Sequence, residues 1–235
     1  MIEVNNLSKE YNGVRVLNLE SLSIPKGQAF GLVGNNGAGK TTLFSSLLDL
    51  IQPTTGYIKN GGYEVHKSEA WKKHTASFID ESFLIGYLTP EEYFYFIGDL
   101  RGESKADVDA LLAGFEDFFN DEIIGKSKYL RDLSKGNQKK VGIVATLIGH
   151  PEVIVLDEPF ANLDPTTQIR LKGIIKGLVE DKDVTVLVSS HDLQHVTEVC
   201  ERIVVLEKGE LVKDIMTSPE TLKELEDFFS GEESM

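Results

Sequence analysis

This sequence predicts an α/β fold in which a parallel sheet is covered by helices on both faces. Short apolar runs typical of buried strands recur along the chain, at residues 29–33, 153–156, 184–188 and 203–206. Segments with the apolar spacing of amphipathic helices lie between them, at residues 42–51, 166–179 and 193–201. Strands that alternate with helices in this way form parallel sheets with helices on both faces.

The start of the chain carries further strand signals. Strand-like runs at residues 2–4, 14–19 and 22–24 end at a Pro-Lys-Gly turn over residues 25–27. The turn leads into the first of the buried strands. These runs predict strands that precede the first buried strand.

Residues 82–150 have a helical character. Thr89 is a candidate N-cap, Glu92 completes a capping box with it, and Pro90 occupies the first helical position. Acid-rich helical sequence follows at residues 105–120, and a further helix closes the block. We interpret the block, residues 82–150, as a helical insertion, which we call the helical lobe.

The predicted organisation is a single domain over residues 1–235. Its β-rich core comprises residues 1–81 and 151–217, and the helical block interrupts that core. Residues 218–235 form an acidic C-terminal tail with a predicted helix that frays near residues 230–231.

Composition limits the partners and the compartment. Acidic residues outnumber basic ones 38 to 24, for a net charge of −14, whereas nucleic-acid binders gain affinity by neutralising phosphates. We therefore expect no nucleic-acid ligand. No stretch approaches the roughly 20 apolar residues that cross a bilayer, and the N-terminus lacks the pattern of a secretory signal. A single cysteine, Cys200, fits a reducing compartment. These features predict a cytoplasmic protein.

A phosphate-binding loop is predicted between the strand at 29–33 and the helix at 42–51. The pattern GxxxxGK[ST] is matched, together with the following threonine, by Gly34, Asn35, Asn36, Gly37, Ala38, Gly39, Lys40, Thr41 and Thr42. Glycines let backbone N–H groups curl around phosphate oxygens, and the helix directs about half a positive charge at them. Lys40 would reach the β- and γ-phosphates, and Thr41 would ligate Mg²⁺. The alternative, a glycine-rich turn that binds nothing, does not account for the position between strand and helix.

Two carboxylates follow the apolar run at 153–156. Asp157 is placed to hold the Mg²⁺ shell, and Glu158 to polarise an attacking water as general base. Two acids after a strand are often only a solvated loop. Their position downstream of a phosphate loop favours the catalytic interpretation.

The segment Leu-Ser-Lys-Gly-Asn-Gln at residues 133–138 resembles the signature sequence of the ATP-binding-cassette (ABC) family, usually LSGGQ. Without that resemblance, Ser134 is simply a helix cap. Lys135 and Asn137 depart from the usual residues, as they do in some subunits of two-component exporters. The resemblance implies a P-loop NTPase with a RecA-like parallel core, an N-terminal antiparallel β subdomain and a helical subdomain insertion. It also implies that Ser134 and Gly136 contact the γ-phosphate of ATP bound to the opposite subunit.

Further elements occur in the order that the family shows. Residues 162–164 resemble the loop that crosses the dimer interface, with Asp164 at its end. His191 resembles the switch histidine that contacts the γ-phosphate, and Tyr11 matches the aromatic that stacks on adenine. The other four histidines fit structural or surface roles.

Residues 77–81 resemble the family's coupling loop, which links ATP to transport, but depart from its common pattern. In the family it supplies a glutamine to Mg²⁺ and the attacking water, and Glu81 stands at that position, as it often does in exporter-type subunits. A carboxylate is a harder Mg²⁺ ligand than an amide. Asp80 is the alternative ligand, by a shift of one residue.

The resemblance implies ATP hydrolysis with Mg²⁺ by a dimer of nucleotide-binding subunits, peripheral at the inner face of the cell membrane. There the chain would dock on an integral membrane permease and drive export. The docking groove would use aromatic residues near Glu81, some of which could instead form the core of the helical lobe: Phe83, Tyr87, Tyr93, Phe94, Tyr95 and Phe96. The alternative is an ABC ATPase without a transport role, such as a metal-cluster assembly factor. A small-molecule kinase would leave Ser134 and His191 unexplained.

Overall fold

A computed structural model describes residues 1–180 and 182–231, so the last four residues of the predicted tail, 232–235, lie outside the described residues. The described chain contains two sheets. The first is antiparallel, in the order β2-β1-β4-β5, and consists of β1 (Ile2–Tyr11), β2 (Val14–Ile24), β4 (Thr55–Asn60) and β5 (Tyr63–Glu64). The second, in the order β10-β9-β3-β8-β7-β6, consists of β3 (Ala29–Val33), β6 (Thr75–Phe78), β7 (Val153–Leu156), β8 (Thr185–Ser190), β9 (Arg202–Glu207) and β10 (Glu210–Met216).

The predicted α/β fold with a parallel core sheet is confirmed, with one difference at the edge of that sheet. Strands β3, β6, β7, β8 and β9 run parallel, whereas β10 pairs antiparallel with β9. A two-residue turn at Lys208 and Gly209 joins β9 to β10, and both residues have positive φ, 49° and 84°. Such turns match the twist of a hairpin, so the last strand folds back.

Eight α-helices occur among the described residues: α1 (Lys40–Leu47), α2 (Pro90–Arg101), α3 (Lys105–Ala113), α4 (Glu116–Phe119), α5 (Lys135–Ala145), α6 (Pro165–Glu180), α7 (Leu193–Val199) and α8 (Thr221–Ser230). The predicted capping box is present, because Thr89 Oγ1 accepts from the Glu92 N–H at 3.3 Å and Glu92 Oε2 accepts from the Thr89 N–H at 2.8 Å. No helix in the described ranges is both long and apolar enough to cross a membrane.

The helical segments expected at residues 105–120 are α3 and α4. Helix α3 ends at Ala113 with Gly114 as its C-cap, and α4 is a separate single turn. Glycine has a low helix propensity and frequently ends helices. The acidic spacing alone did not indicate where the break between them lies.

The core sheet separates two hydrophobic clusters. Alternate residues of β3 point to opposite faces, so that Phe30 and Leu32 pack toward the antiparallel sheet and Ala29 and Val33 toward the helical side. All five residues of β3 are buried, as expected for a central parallel strand. Strand β8 lies between β3 and β7. The loops at the carboxyl ends of these strands therefore meet at one edge, the usual ligand-binding edge of α/β sheets.

Candidate active site

The loop at residues 34–41 joins β3 to α1 and is held by close backbone packing. A Cβ at Gly34 would lie 2.4 Å from the carbonyl O of Leu206, and one at Gly39, where φ is 108°, would lie 3.0 Å from that of Val16. The tip of the loop is exposed and consists of Asn35, Asn36 and Gly37. Ala38 is buried, and Thr41 and Thr42 lie in the first turn of α1. A helix N-terminus presents free N–H groups and a positive dipole end, which together bind phosphate.

Lys40 is the first residue of α1, directly after the loop's Gly39, and is largely buried. Its Nζ donates to the carbonyl O of Gly34 at 2.6 Å and lies 3.4 Å from Glu158 Oε1. A buried ammonium requires such partners, because desolvation without them is costly. The side chain is therefore held pointing back into the loop that precedes it.

Asp157 follows β7 and is buried beside the first turn of α1. Its Oδ2 accepts from Thr41 Oγ1 at 2.6 Å, and its Oδ1 accepts from the Ser189 hydroxyl. Burial raises the pKa of Asp157 above its ordinary value, although both hydrogen bonds favour the charged form. The Thr41 hydroxyl and the Asp157 carboxylate are hard oxygen donors side by side, the donor chemistry that suits Mg²⁺.

Glu158 is fixed from several sides. Its φ of 46° is left-handed, which is uncommon for a side chain of this size and costly for the backbone. Its N–H donates to Ser189 Oγ at 3.0 Å, and its Oε2 lies 2.9 Å from His191 Nδ1. The carboxylate is therefore directed between His191 and Lys40, at the exposed mouth of the strand ends.

Glu81 lies at the start of a 3-10 turn after β6, with 10% of its side chain exposed. Its carboxylate pairs with Lys139, at 3.6 Å, and with Lys135, at 4.0 Å. Asp80 instead accepts from the Ser82 N–H at 2.8 Å, and hydrogen bonding by Ser82 lowers the pKa of Asp80. Both acids thus have partners of their own at the end of β6.

The signature segment and the segment after β7 pack against each other. Ser134 caps α5, where its Oγ accepts from the Asn137 N–H at 3.2 Å. Gly136 allows close approach, since a Cβ there would lie 2.8 Å from the carbonyl O of Asn162. Asp164 follows in the same segment and starts α6. These residues form a second group at the exposed start of α5.

Tyr11 and Asp164 have partners close to them in the chain. Tyr11 is exposed at the end of β1, with Lys9 Nζ 4.8 Å from its ring centre. The Asp164 carboxylate accepts from the Thr167 N–H at 3.0 Å and from Thr167 Oγ1 at 2.5 Å. The side-chain hydrogen bond from Thr167 lowers the pKa of Asp164. Both residues are nevertheless exposed, so a second molecule can reach them.

Two residues of the site were not singled out by sequence reasoning. Ser189 is fully buried and hydrogen-bonds both the Asp157 carboxylate and the Glu158 N–H. The sequence feature that could have indicated it is the polar pair Ser189 and Ser190 at the end of an apolar run. Lys139 is also buried, and its Nζ donates to the Glu158 carbonyl O at 2.8 Å. Burial lowers the pKa of Lys139, and the nearby Glu81 opposes that shift. Adjacent lysines on a helix indicate a solvated face, so no sequence signal pointed to Lys139.

The aromatic stretch near Glu81 is divided between core and surface. Phe94 is fully buried in the helical lobe. Phe83, Tyr87 and Phe96 are exposed, and Tyr93 and Tyr95 are half-buried. A groove of about 360 Å³ runs between β6 and the helical lobe, and its lining includes Leu50, Phe83, Tyr93, Leu100 and Arg101.

The sequence of the chain matches a known protein family and several of its members. The family model described as "ABC transporter" matches residues 17–161. The bacitracin transport ATP-binding protein BcrA of Enterococcus faecalis is 32% identical over 225 residues, which cover 93% of this chain and 70% of that protein. A methionine import ATP-binding protein of Burkholderia orbicola is 30% identical over 227 residues, covering 91% of this chain and 64% of that protein.

Solved structures agree with the fold. The structure of an ATP-binding subunit of an ABC transporter superposes with a TM-score of 0.86 and 25% identity, covering 98% of each chain. A dimeric ATP-binding cassette in a post-hydrolysis state, bound to ADP and Pi, superposes with a TM-score of 0.82 at 23% identity and covers 93% of this chain and 99% of that one.

Proposed function

The chain belongs to the ABC transporter family as an ATP-binding, ATP-hydrolysing subunit, and we propose that it works as one half of a two-site dimer on a separate membrane subunit. The observation that carries the catalytic part is the carboxylate of Glu158, which lies between His191 and Lys40 and directly follows Asp157 in the chain. This arrangement unites a base, a phosphate-binding cation and a metal-binding acid at one strand edge.

We infer that ATP binds along the loop at residues 34–41. Lys40 would exchange its carbonyl partner for the β- and γ-phosphates, which are stronger acceptors because they are charged. Loop amides and the N-terminus of α1 would hold the remaining oxygens. Tyr11, exposed at the end of β1, would stack on the adenine.

The residues present fit a Mg²⁺ ion, and we propose that Thr41 and Asp157 hold it. The Thr41 hydroxyl now donates to the Asp157 carboxylate at 2.6 Å, so two hard oxygen donors already lie side by side where the ion would bind. When bound, Mg²⁺ neutralises charge on the phosphates. Glu81 is the proposed further ligand, and Asp80 remains its alternative. For Glu81 to reach the metal, its carboxylate would have to leave Lys135 and Lys139.

Glu158 is the proposed general base. Its carboxylate would take the proton of the water that attacks the γ-phosphate, while the phosphorus–oxygen bond to ADP breaks. His191 holds the carboxylate at 2.9 Å and is itself exposed toward the mouth of the site. Most of the rate enhancement would come from positioning and charge stabilisation.

The second half of each site would come from the partner subunit. Ser134 and Gly136 would contact the γ-phosphate of ATP held by the partner subunit, whether that subunit is an identical or a different chain, and Asp164 would lie at the interface. Two facts support this arrangement: Ser134 stands at the exposed N-terminus of α5, which attracts anions, and the superposed cassette bound to ADP and Pi is described as dimeric.

The membrane partner would dock on the groove between β6 and the helical lobe. Phe83 and Leu100 expose 60% and 68% of their surface along it, and exposed apolar patches of this kind mark interaction sites. Such docking would place the subunit at the inner face of the cell membrane. We favour export because Glu81 and Lys135 resemble the exporter-type pattern.

Replacing the base tests the catalytic assignment. Glu158→Gln keeps the shape of the side chain but cannot accept the proton, so we expect hydrolysis to fall by about 10²- to 10⁴-fold. ATP binding should stay within about twofold, and light scattering should detect an ATP-dependent dimer. Glu152→Gln is the matched control, since Glu152 lies at the opposite end of β7. Wild-type turnover by Glu158→Gln would refute the assignment.

A further inference from the structure

Lys139 is a buried cation next to the proposed base. It lies on α5, one turn after the helix begins, and only 6% of its side chain is exposed. Burying an ammonium is costly unless it is paired and hydrogen-bonded. The partners of Lys139 at this position therefore have to offset the cost of burying its charge.

The partners of Lys139 come from two different loops. The Nζ donates to the backbone carbonyl O of Glu158 at 2.8 Å, after β7, and lies 3.6 Å from Glu81 Oε1, after β6. The ring of Phe78 adds a third contact, with its centre 6.0 Å from the Nζ. The side chain of Lys139 thus connects Glu81, after β6, to the backbone of Glu158, after β7.

The backbone that Lys139 holds is a strained one. Glu158 has φ of 46°, and residues in this region persist only when their surroundings over-determine them. Ser189 holds the N–H of Glu158, while Lys139 and, more weakly, the Ala161 N–H at 3.3 Å hold its carbonyl O. Fixing the peptide groups on both sides sets the direction in which the carboxylate leaves the chain.

A glycine brings Lys139 within reach. Gly142 lies one turn further along α5, and a Cβ there would meet the Phe78 ring at 2.1 Å. Only a residue without a side chain lets α5 approach β6 this closely. The same approach brings Lys139 to both Glu81 and the Glu158 carbonyl.

We propose that Lys139 is a positioning residue for ATP hydrolysis: it holds the backbone of Glu158 in its productive conformation and transmits the position of Glu81 to that backbone. The inference rests on the proposed function, because it requires Glu158 to be the base. The proposed role of Lys139 would link Glu81 and Glu158 within one subunit.

The test uses Lys139→Met in the full chain. Methionine keeps length and apolar bulk but loses the charge and the donor. A hydrogen bond from a charged group is worth about ten- to a hundredfold, so we expect kcat to fall by about that factor. The equilibrium affinity for ATP, measured without turnover by dialysis, should change less than about twofold. Lys139→Arg keeps the cation and should recover most of the lost kcat.

Lys140→Met is the matched control. Lys140 is the next residue of α5 and is equally buried, but its ion pair, at 3.8 Å, is with Glu122 of the helical lobe. A merely structural effect would lower the activity of both variants alike. Equal kcat values for Lys139→Met and Lys140→Met, or an equal loss in Lys139→Arg, would overturn the proposal.

The link to Glu81 is tested by the double variant. At saturating Mg²⁺, adding Glu81→Gln to Lys139→Met should lower kcat little further, because the transmitting group is already gone. Fully multiplicative losses would overturn this part. If Lys139→Met does not fold, Lys139→Gln, which is shorter and uncharged, serves in the same comparison. Absence of ATPase activity in the wild-type chain would instead count against the proposed function itself.

Discussion

Alanine substitution of three helical glycines should change stability in opposite directions. At Gly142 in α5, a Cβ would lie 2.1 Å from Phe78 Cε2 and 2.2 Å from its Cδ2, so the ring or the helix must move. At Gly173 and Gly177 in α6, a Cβ would meet nothing within 4 Å. The added methyl group is therefore overpacked in α5, whereas in α6 it meets open space.

The expected magnitudes follow from two competing terms. Replacing glycine by alanine inside a helix gains about 0.5–1 kcal/mol from backbone entropy. Overpacking a closed core costs about 1–3 kcal/mol. Gly173→Ala and Gly177→Ala should each raise the free energy of unfolding by about 0.5–1 kcal/mol. Gly142→Ala should lower it by about 1–2 kcal/mol, because Phe78 is itself buried.

Urea denaturation followed by circular dichroism, with a shared m-value, measures all three variants on one scale. ATPase activity provides a second measurement: the α6 variants should match wild type, while Gly142→Ala should lower kcat because Lys139 shares the shifted helix. A stabilised Gly142→Ala protein would refute the close approach of α5 to β6. A destabilised Gly177→Ala protein would refute the account of helix propensity.

Three further predictions concern stability and reactivity. Ser189→Ala should lower the free energy of unfolding by about 1–3 kcal/mol, because two buried groups lose their hydrogen-bond partner; a urea curve that matches wild type would contradict it. Burial raises the pKa of the Cys200 thiol, so a thiol reagent should label Cys200 only after unfolding, and rapid labelling of the native protein would contradict this. Hydrogen bonding by Lys26 lowers the pKa of Glu152, so its stabilisation is present above the unfolded pKa and lost as pH falls through the folded one. Glu152→Gln should therefore be slightly less stable than wild type at pH 7, by under about 1 kcal/mol since the pair is exposed, and equal to it in strong acid; a difference that grows in acid would contradict it.

Local pattern was sufficient to predict the fold class. The run at β3 has no polar position because a central parallel strand is covered on both faces. Thr89, Pro90 and Glu92 carry a helix-start signal that lies within four consecutive positions. Features that depend on tertiary placement were not predictable. The antiparallel edge strand β10 was missed because its residues alternate in exposure and resemble a surface segment.

The contacts that hold Glu158, the proposed base, depend on distance in space rather than in sequence. Ser189 reaches Asp157 across 32 positions, through the parallel pairing of β7 and β8. Lys139 is preceded by polar residues and followed by another lysine, so its helical spacing indicates solvent. Its burial follows from the approach of α5 to Phe78, which a sequence pattern does not encode.

The overall charge of the chain and the charge of its ligand have the same sign, and distance resolves this conflict. The net charge of −14 would repel a polyanionic nucleotide if it acted as a single centre. Salt at physiological strength screens charges beyond about 8 Å, so acids further than that from the loop contribute little there. The cationic groups at the loop itself are Lys40 and the positive end of α1. Lys40 has a carboxylate partner, Glu158, that an incoming phosphate can replace. Nucleotide binding would therefore release Glu158 from its ion pair with Lys40 as a new one forms, which ties occupancy of the loop to the freedom of that carboxylate.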